Sequence, residues 1–80
     1  MKQLLVEYVA MMREAAGCRE ERVETEAENA LELYGELTQR HGWAVGHASL
    51  RVAINDSIVE WSAPVRDGDR ILFLPPSSGG

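Results

Sequence analysis

The stretch Arg70-Ile-Leu-Phe-Leu-Pro-Pro-Ser-Ser-Gly-Gly80 joins an apolar run to residues that cannot continue a strand. Near-continuous apolarity over residues 70–74 predicts a strand at the centre of a sheet. Pro75 and Pro76 lack a backbone N–H and fix φ, so the strand ends there and the chain leaves it extended. Gly79 and Gly80 have no Cβ, so this end of the chain is thin enough for a narrow cleft. We therefore expect a folded domain over residues 1–74 and a flexible tail over residues 75–80.

Length and composition limit what this domain does. Its 80 residues, 45% of them hydrophobic, suffice for one small domain with a modest core. The formal net charge of −5 argues against a nucleic-acid-binding protein and permits a partner with a basic surface. Cys18 is the single cysteine, which excludes an intramolecular disulfide and suits a reducing compartment. No apolar run has the length of a membrane span, so we expect a cytoplasmic protein with no membrane partner.

Outward from residues 70–74, the pattern predicts four more strands. Residues 3–9 are rich in strand-forming residues on both faces, which indicates an interior strand. Residues 19–26 alternate Val and Thr with charges, which is typical of an exposed edge strand. Residues 50–54 and 57–61 form a hairpin around Asn55-Asp56, and residues 10–16 form a short helical loop.

One main helix lies between these strands. Asn29 is placed to cap it, and Glu32 stands three residues later, as in a capping box. Gly42 is the expected C-terminal stop. Four apolar residues fall on one stripe: Ala30, Leu33, Tyr34 and Leu37. One amphipathic helix against one mixed sheet predicts a two-layer α+β domain.

No pattern in the body of the chain indicates a catalytic centre of its own. His41 and His47 have no cysteine cluster beside them, so we predict no metal site. No glycine-rich phosphate loop precedes a helix. Asp67 and Asp69 flank a turn, where carboxylates commonly bind nearby backbone N–H groups. The chemically distinctive group is therefore the carboxylate of Gly80.

The run Val65–Gly80 resembles the end of the small, sulfur-carrying subunits of molybdopterin synthase, which are ubiquitin-like sulfur carriers with the β-grasp fold. The similar features at this end are Asp67-Gly68-Asp69, the apolar last strand, Pro75-Pro76 and Gly79-Gly80. Further features match along the rest of the chain: Met11-Met12-Arg13-Glu14, the helix with Leu33 and Leu37, and Val52-Ala-Ile-Asn55. The resemblance implies an α+β, ubiquitin-like β-grasp domain.

The resemblance also implies a function. An adenylyltransferase related to ubiquitin activators would use ATP and Mg²⁺ to adenylate Gly80, and a sulfur donor protein would convert it to a thiocarboxylate. The tail would then enter the large synthase subunit, where sulfur passes to a precursor pterin in molybdenum cofactor biosynthesis. Gly79 would give clearance, and Pro75 and Pro76 would aim the tail. The chain itself would bind no permanent cofactor.

A docking surface is expected near the root of the tail. We predict Phe73 to be a partner-docking residue in an exposed apolar patch, and its burial in the core is the alternative. The acids Glu60, Asp67 and Asp69 are expected to attract a basic partner.

Three other functions fit the same sequence. The nearest is a sulfur carrier for thiamine synthesis or tRNA thiolation. A second is a ubiquitin-like protein modifier, whose Gly80 forms isopeptide bonds with lysines. The third is an interaction domain with an inert tail. All three would fold alike, and fold does not determine function.

Overall fold

The computed structural model of the chain describes residues 1–75. Its helices and strands follow in the order β1 (Lys2–Tyr8), α1 (Met11–Ala16), β2 (Glu20–Thr25), α2 (Ala30–His41), β3 (Arg51–Ile54), β4 (Ser57–Val59) and β5 (Arg70–Leu74). A single 3₁₀ turn at His47–Ser49 precedes β3.

The strands form one mixed sheet in the order β2-β1-β5-β3-β4. β1 and β5 run parallel, with Val6 opposite Ile71, and the other three pairs are antiparallel. The prediction of β5 at the centre and β2 at an edge is confirmed. β4 ends at Val59 rather than at residue 61, because the Ala63 N–H donates to the Glu60 carbonyl over 2.9 Å and turns the chain.

Helix α2 begins and ends where the capping signals predict. The Glu32 N–H donates to Asn29 Oδ1 over 2.8 Å, and Glu32 Oε1 accepts from the Glu28 N–H over 2.9 Å. At the other end, Gly42 adopts φ 71° and its N–H donates to the Thr38 carbonyl over 2.8 Å. These bonds satisfy backbone groups that a helix end otherwise leaves unpaired.

The core lies between α2 and one face of the sheet. Strand alternation directs one set of side chains toward the helix. The buried set on β1, β5 and α2 is Leu4, Val6, Tyr8, Ile71, Phe73, Ala30, Leu33, Tyr34 and Leu37. Trp43, from the segment after α2, is buried among them and Trp61 is half-buried at the margin.

The turn before β5 is fastened to β1. The Gln3 N–H donates to Asp67 Oδ1 over 2.7 Å, and the Gly68 N–H donates to the Gln3 carbonyl over 2.8 Å. The Arg66 N–H donates to Asp69 Oδ2 over 2.8 Å. Gly68 has φ 88°, a conformation that favours glycine. The prediction of a local backbone bond is confirmed for Asp69, whereas Asp67 accepts from the distant Gln3 N–H on β1.

A polar cluster closes the core where β1, β2 and the end of α2 meet. The Tyr8 hydroxyl donates to Glu21 Oε1 over 2.5 Å, and His41 Nε2 lies 2.7 Å from the same oxygen. The His41 ring stacks on Trp43 at a centroid distance of 5.1 Å. The sequence pattern did not indicate this cluster, because its members come from three separate elements.

Burial and hydrogen bonding change the acidity of this cluster. Burial raises the pKa of Tyr8 above its ordinary value of 10.0, and the bond to Glu21 raises it further. Partial burial also raises the pKa of Glu21. The hydrogen bonds from Tyr8 and His41 outweigh that effect and, with Arg40 nearby, hold the pKa of Glu21 below its ordinary value of 4.5. The folded state therefore favours the Glu21 carboxylate.

Replacing Gly35 by Ala is expected to stabilise the domain. Gly35 lies inside α2, and a Cβ built there meets no atom within 4 Å. Removing a helical glycine recovers about 0.5–1 kcal/mol of unfolding free energy. Urea denaturation of both proteins measures the difference. Gly42→Ala is the control and is expected to destabilise, because φ there is 71°. An unchanged or lower free energy of unfolding for Gly35→Ala would contradict the view that the helix has room for a methyl group at position 35.

The Glu21 cluster is expected to make stability depend on acid pH. The pKa of Glu21 is lower in the folded state than in the unfolded state. The stabilisation that the Glu21 carboxylate contributes is therefore complete above about pH 4.5 and is lost as the pH falls through the folded-state pKa. The free energy of unfolding should therefore fall less steeply with acid in Glu21→Gln than in the unmodified protein.

Glu24→Gln is the matched control, because Glu24 lies on the same strand but is exposed. This variant removes a carboxylate from the same strand and leaves the Tyr8–Glu21–His41 cluster in place. Parallel pH profiles for the unmodified protein and Glu21→Gln would contradict the assignment. Denaturant titrations at several pH values supply the measurement.

Candidate functional site: the root of the tail and the open face of the sheet

The central strand carries the root of the tail, which we define as Leu74 and Pro75. Leu74 is paired with Arg51 at the end of the β3–β5 ladder. Pro75 follows directly and is half-buried. Pro76, Gly79 and Gly80 lie outside the described residues, so their predicted roles stay predictions. The tail therefore begins at the middle of the sheet and not at an edge.

Phe73 does not present its side chain to a partner. It is 0% exposed, and its ring lies 5.2 Å from Tyr34 and 5.9 Å from Trp61, centroid to centroid. The ring also meets Trp43 at 6.3 Å. The prediction of Phe73 as an exposed docking residue is wrong, because alternation along β5 turns it toward α2. The alternative of burial in the core holds.

The neighbours of Phe73 on β5 face the other way. Leu72 and Leu74 are half-buried on the face of the sheet that no helix covers. Leu72 is opposite Ala53, which is opposite Ile58. Ile58 is 58% exposed, the largest exposure of any large hydrophobic residue between 2 and 75. We call Leu72, Leu74 and Ile58 the open-face patch, and it reaches the root of the tail without a break.

Charged side chains surround the open-face patch. Arg70 Nη2 lies 2.5 Å from Asp56 Oδ1, and Arg70 Nε lies 3.7 Å from Glu7 Oε1. The hydrogen bond that Arg70 donates to Asp56 raises the pKa of Arg70, so this guanidinium stays charged. Glu7 is also directly opposite Glu20 on β2. Like charges directly opposite each other across a sheet are unfavourable, and a basic partner would relieve this contact.

The predicted attractive acids lie in two places. Glu60 follows β4 at the end of the sheet where the tail leaves, since Val59 is opposite Val52, one residue after Arg51. Asp67 and Asp69 precede β5 and lie at the opposite end, about 16 Å away for a strand of this length. Only Glu60 is therefore beside the root. Asp67 and Asp69 serve the turn instead.

The described residues form several shallow, open grooves. One groove beside the patch is lined by Val9, Arg13, Arg19 and Leu72, among others. Over residues 1–75, no group of three or more His, Cys, Asp or Glu side chains is arranged to hold a metal ion. In the same range, no helix is long and apolar enough to cross a membrane. Cys18 is a half-buried free thiol.

Sequence reasoning missed Leu72 and Ile58. The signal was present in the period-2 alternation of β5, because Ile71 and Phe73 share one face and Leu72 and Leu74 must share the other. Which face the helix covers is a tertiary property. The hairpin similarly brings Ile58 beside Ala53 and Leu72 only once β3 pairs with β5.

The sequence of this chain is similar to that of a known sulfur carrier. The Escherichia coli molybdopterin synthase sulfur carrier subunit is 35% identical over 43 residues, which is 54% of this chain and 53% of that protein. The aligned segment therefore spans about half the length of that relative.

Solved structures show the same fold over nearly the whole chain. A putative molybdopterin converting factor subunit 1 from Pyrococcus furiosus has a TM-score of 0.81 and 26% identity, covering 96% of this chain and 100% of that one. Small archaeal modifier protein 1 from Methanosarcina acetivorans has a TM-score of 0.81 and 25% identity, covering 100% and 98%. In the complex of subunits 1 and 2 of the Helicobacter pylori molybdopterin-converting factor, the matching chain has a TM-score of 0.69 and 24% identity, covering 98% and 99%.

These structures confirm the predicted ubiquitin-like β-grasp fold, with one main helix on a mixed sheet. The sequence model of the ThiS family matches residues 6–80, which include the tail and its Gly-Gly. The resemblance to the molybdopterin synthase sulfur carriers is likewise confirmed. The chain belongs to the ThiS family.

Proposed function

We propose that this chain is the sulfur carrier subunit of a molybdopterin synthase and that Gly80 carries the sulfur. The observation that supports this most directly is that the match to the ThiS family extends through residue 80. The segment that ends in Gly80 follows β5, the central strand of the sheet. The likeness to the Escherichia coli subunit and to the Pyrococcus furiosus protein favours the molybdopterin pathway.

The chemistry proposed for Gly80 follows from the properties of a carboxylate. A carboxylate resists nucleophiles, so an activating enzyme related to ubiquitin activators joins it to AMP, using ATP and Mg²⁺, and pyrophosphate leaves. The mixed anhydride has a good leaving group. Sulfur at the oxidation level of sulfide, supplied by a donor protein, then attacks the acyl carbon. A C–S bond forms, the C–O bond to AMP breaks, AMP leaves, and a thiocarboxylate remains on Gly80. The catalytic groups belong to the activating enzyme and to the large synthase subunit.

The open-face patch is the proposed docking surface for these partners. It is apolar, lies on the uncovered face of the sheet and is continuous with Leu74 at the root of the tail. The opposed carboxylates of Glu7 and Glu20 beside it suit a basic contact on the partner. Docking there would bring Leu74 and Pro75, where the tail begins, against the partner. The pairing of subunits 1 and 2 in the Helicobacter pylori complex supports a large subunit as one such partner.

A protein modifier is the second candidate, because small archaeal modifier protein 1 shares the fold over the whole chain. Both candidates use the same activation of Gly80. They differ in the final acceptor, which is a pterin precursor for the carrier and a lysine amine for the modifier. Sulfur on Gly80 and the absence of high-mass conjugates in cells would favour the carrier.

A sulfur-loading assay on the intact protein tests the proposal. The protein is incubated with ATP, Mg²⁺, an activating enzyme of this class and a sulfur donor, and its intact mass is then measured. We expect replacement of one oxygen by sulfur, mapped to Gly80. Adding one residue after Gly80 should abolish this change and leave the unfolding free energy nearly unchanged, since the core ends at β5.

Ser77→Ala is the control in the same segment and should still accept sulfur. The activating enzyme is shown to be competent on a known carrier in parallel. No mass change in the unmodified protein under those conditions, or full loading of the extended variant, would refute the proposal.

Ile58→Asp is expected to weaken docking without unfolding the domain. The side chain is 58% exposed, so a charge costs the fold little, but it would be buried against an apolar partner surface. We expect binding to the large subunit to weaken by about tenfold or more, by calorimetry.

Leu31→Asp on α2 is the matched control, because Leu31 is 42% exposed on the opposite side of the domain. It should bind as the unmodified protein does. Equal losses from the two variants would exclude the open-face patch as the docking surface. Phe73 is unsuitable for this comparison, since its truncation removes core packing worth about 3–5 kcal/mol.

A further inference from the structure

Lys2 is the only lysine in the sequence, and the other seven of the eight basic residues are arginines. The two side chains carry the same charge but differ in reactivity. A lysine amine that loses its proton is a nucleophile, whereas an arginine guanidinium stays protonated in proteins. This difference matters for a protein whose own carboxyl end is activated toward nucleophiles.

Lys2 lies far from the root of the tail. It begins β1, and β1 runs parallel to β5, so the tail leaves from the opposite end of the sheet. The strand from Lys2 to Tyr8 covers about 20 Å. Lys2 also shares the strand side of Leu4 and Val6, which is the side covered by α2, and it lines a groove with Glu26 and Glu28.

Arginines lie close to the root. Arg51 is exposed and directly opposite Leu74 on the neighbouring strand. Arg13 is exposed and lines the groove that contains Val9 and Leu72. Six residues follow Leu74 in the sequence. Six residues span at most about 20 Å, so position 51, directly opposite Leu74, lies well within the length of this segment.

The same six residues reach Lys2 far less easily. Fully extended, they span at most about 20 Å, and they start in the direction that leads away from Lys2. From Leu74, Lys2 lies back along the length of the sheet and on the side of α2. Position along the sheet and side of the sheet therefore both separate the single lysine from the root of the tail.

We propose that arginine, in place of lysine, around the root of the tail protects the activated Gly80 from capture by a lysine amine of its own domain. The inference rests on the proposed function, because it needs an activated Gly80. The reaction avoided is attack of a lysine Nζ on the Gly80 acyl carbon. An amide C–N bond would form, the C–O bond to AMP would break, and AMP and a proton would leave. The product would be a closed ring that lacks one water relative to the free protein.

Arg51→Lys tests this directly, because it keeps the charge and introduces an amine beside Leu74. Arg66→Lys is the matched control, since Arg66 is exposed but precedes β5 at the far end of the sheet. Each protein is incubated with ATP, Mg²⁺ and the activating enzyme, without a sulfur donor. A pH of about 9 leaves enough free lysine amine to react.

Two readouts are followed for the three proteins. Pyrophosphate release reports activation of Gly80. Intact mass and fragment mapping report the water-loss product and the residue joined to Gly80. We expect equal pyrophosphate release, no ring in the unmodified protein, and at least about tenfold more ring product for Arg51→Lys than for Arg66→Lys, since the short tail raises the local concentration near position 51.

The outcomes separate this inference from the proposed function. No pyrophosphate release from the three proteins, with an enzyme active on a known carrier, would overturn both. Pyrophosphate release with equal ring yields from the two variants would overturn the protection alone. A ring joined at Lys2 in the unmodified protein would do the same.

Discussion

The parallel pairing of β1 with β5 is the constraint on which the rest of this domain depends. β5 is the last strand in the chain but the central one in the sheet, so it pairs with both β1 and β3. The ladder with β1 holds β5 up to Phe73, and the ladder with β3 holds it up to Leu74. A tail attached there starts from one of the most constrained positions in the fold. A partner that binds the sheet therefore also determines where the tail begins.

One face of β5 contributes to the stability of the core, and the other face is available to a partner. Ile71 and Phe73 face α2 and are fully buried, and Phe73 lies among the rings of Tyr34, Trp43 and Trp61. Leu72 and Leu74 face the uncovered side. Because the faces alternate at every residue, the core and the surface beside the tail are built from neighbouring positions of one strand. A change at one position acts on one property and leaves the other nearly intact.

The charges of the domain are similarly divided. Asp67 and Asp69 bind backbone N–H groups and fasten the turn to β1, and Glu21 lies in a cluster with Tyr8 and His41. These carboxylates contribute to the fold. Glu7 and Glu20 face each other on the open side, where no α-helix covers them. The acidic residues behind the net charge of −5 are therefore not spread over one uniform surface, because some serve the fold and others lie on the open face.

The sequence by itself determined most of the secondary structure, the caps of α2 and the central position of β5, because these depend on short-range chemistry: alternation and apolarity along the strands, and Asn29 and Gly42 at the helix ends. It did not determine which side of each strand meets the helix. Phe73 and Leu72 are both apolar, and only the packing of α2 decides that the first is core and the second is surface. The Tyr8–Glu21–His41 cluster and the open-face patch arise in the same way. Their members are distant in the chain, and only the pairing of the strands brings them together.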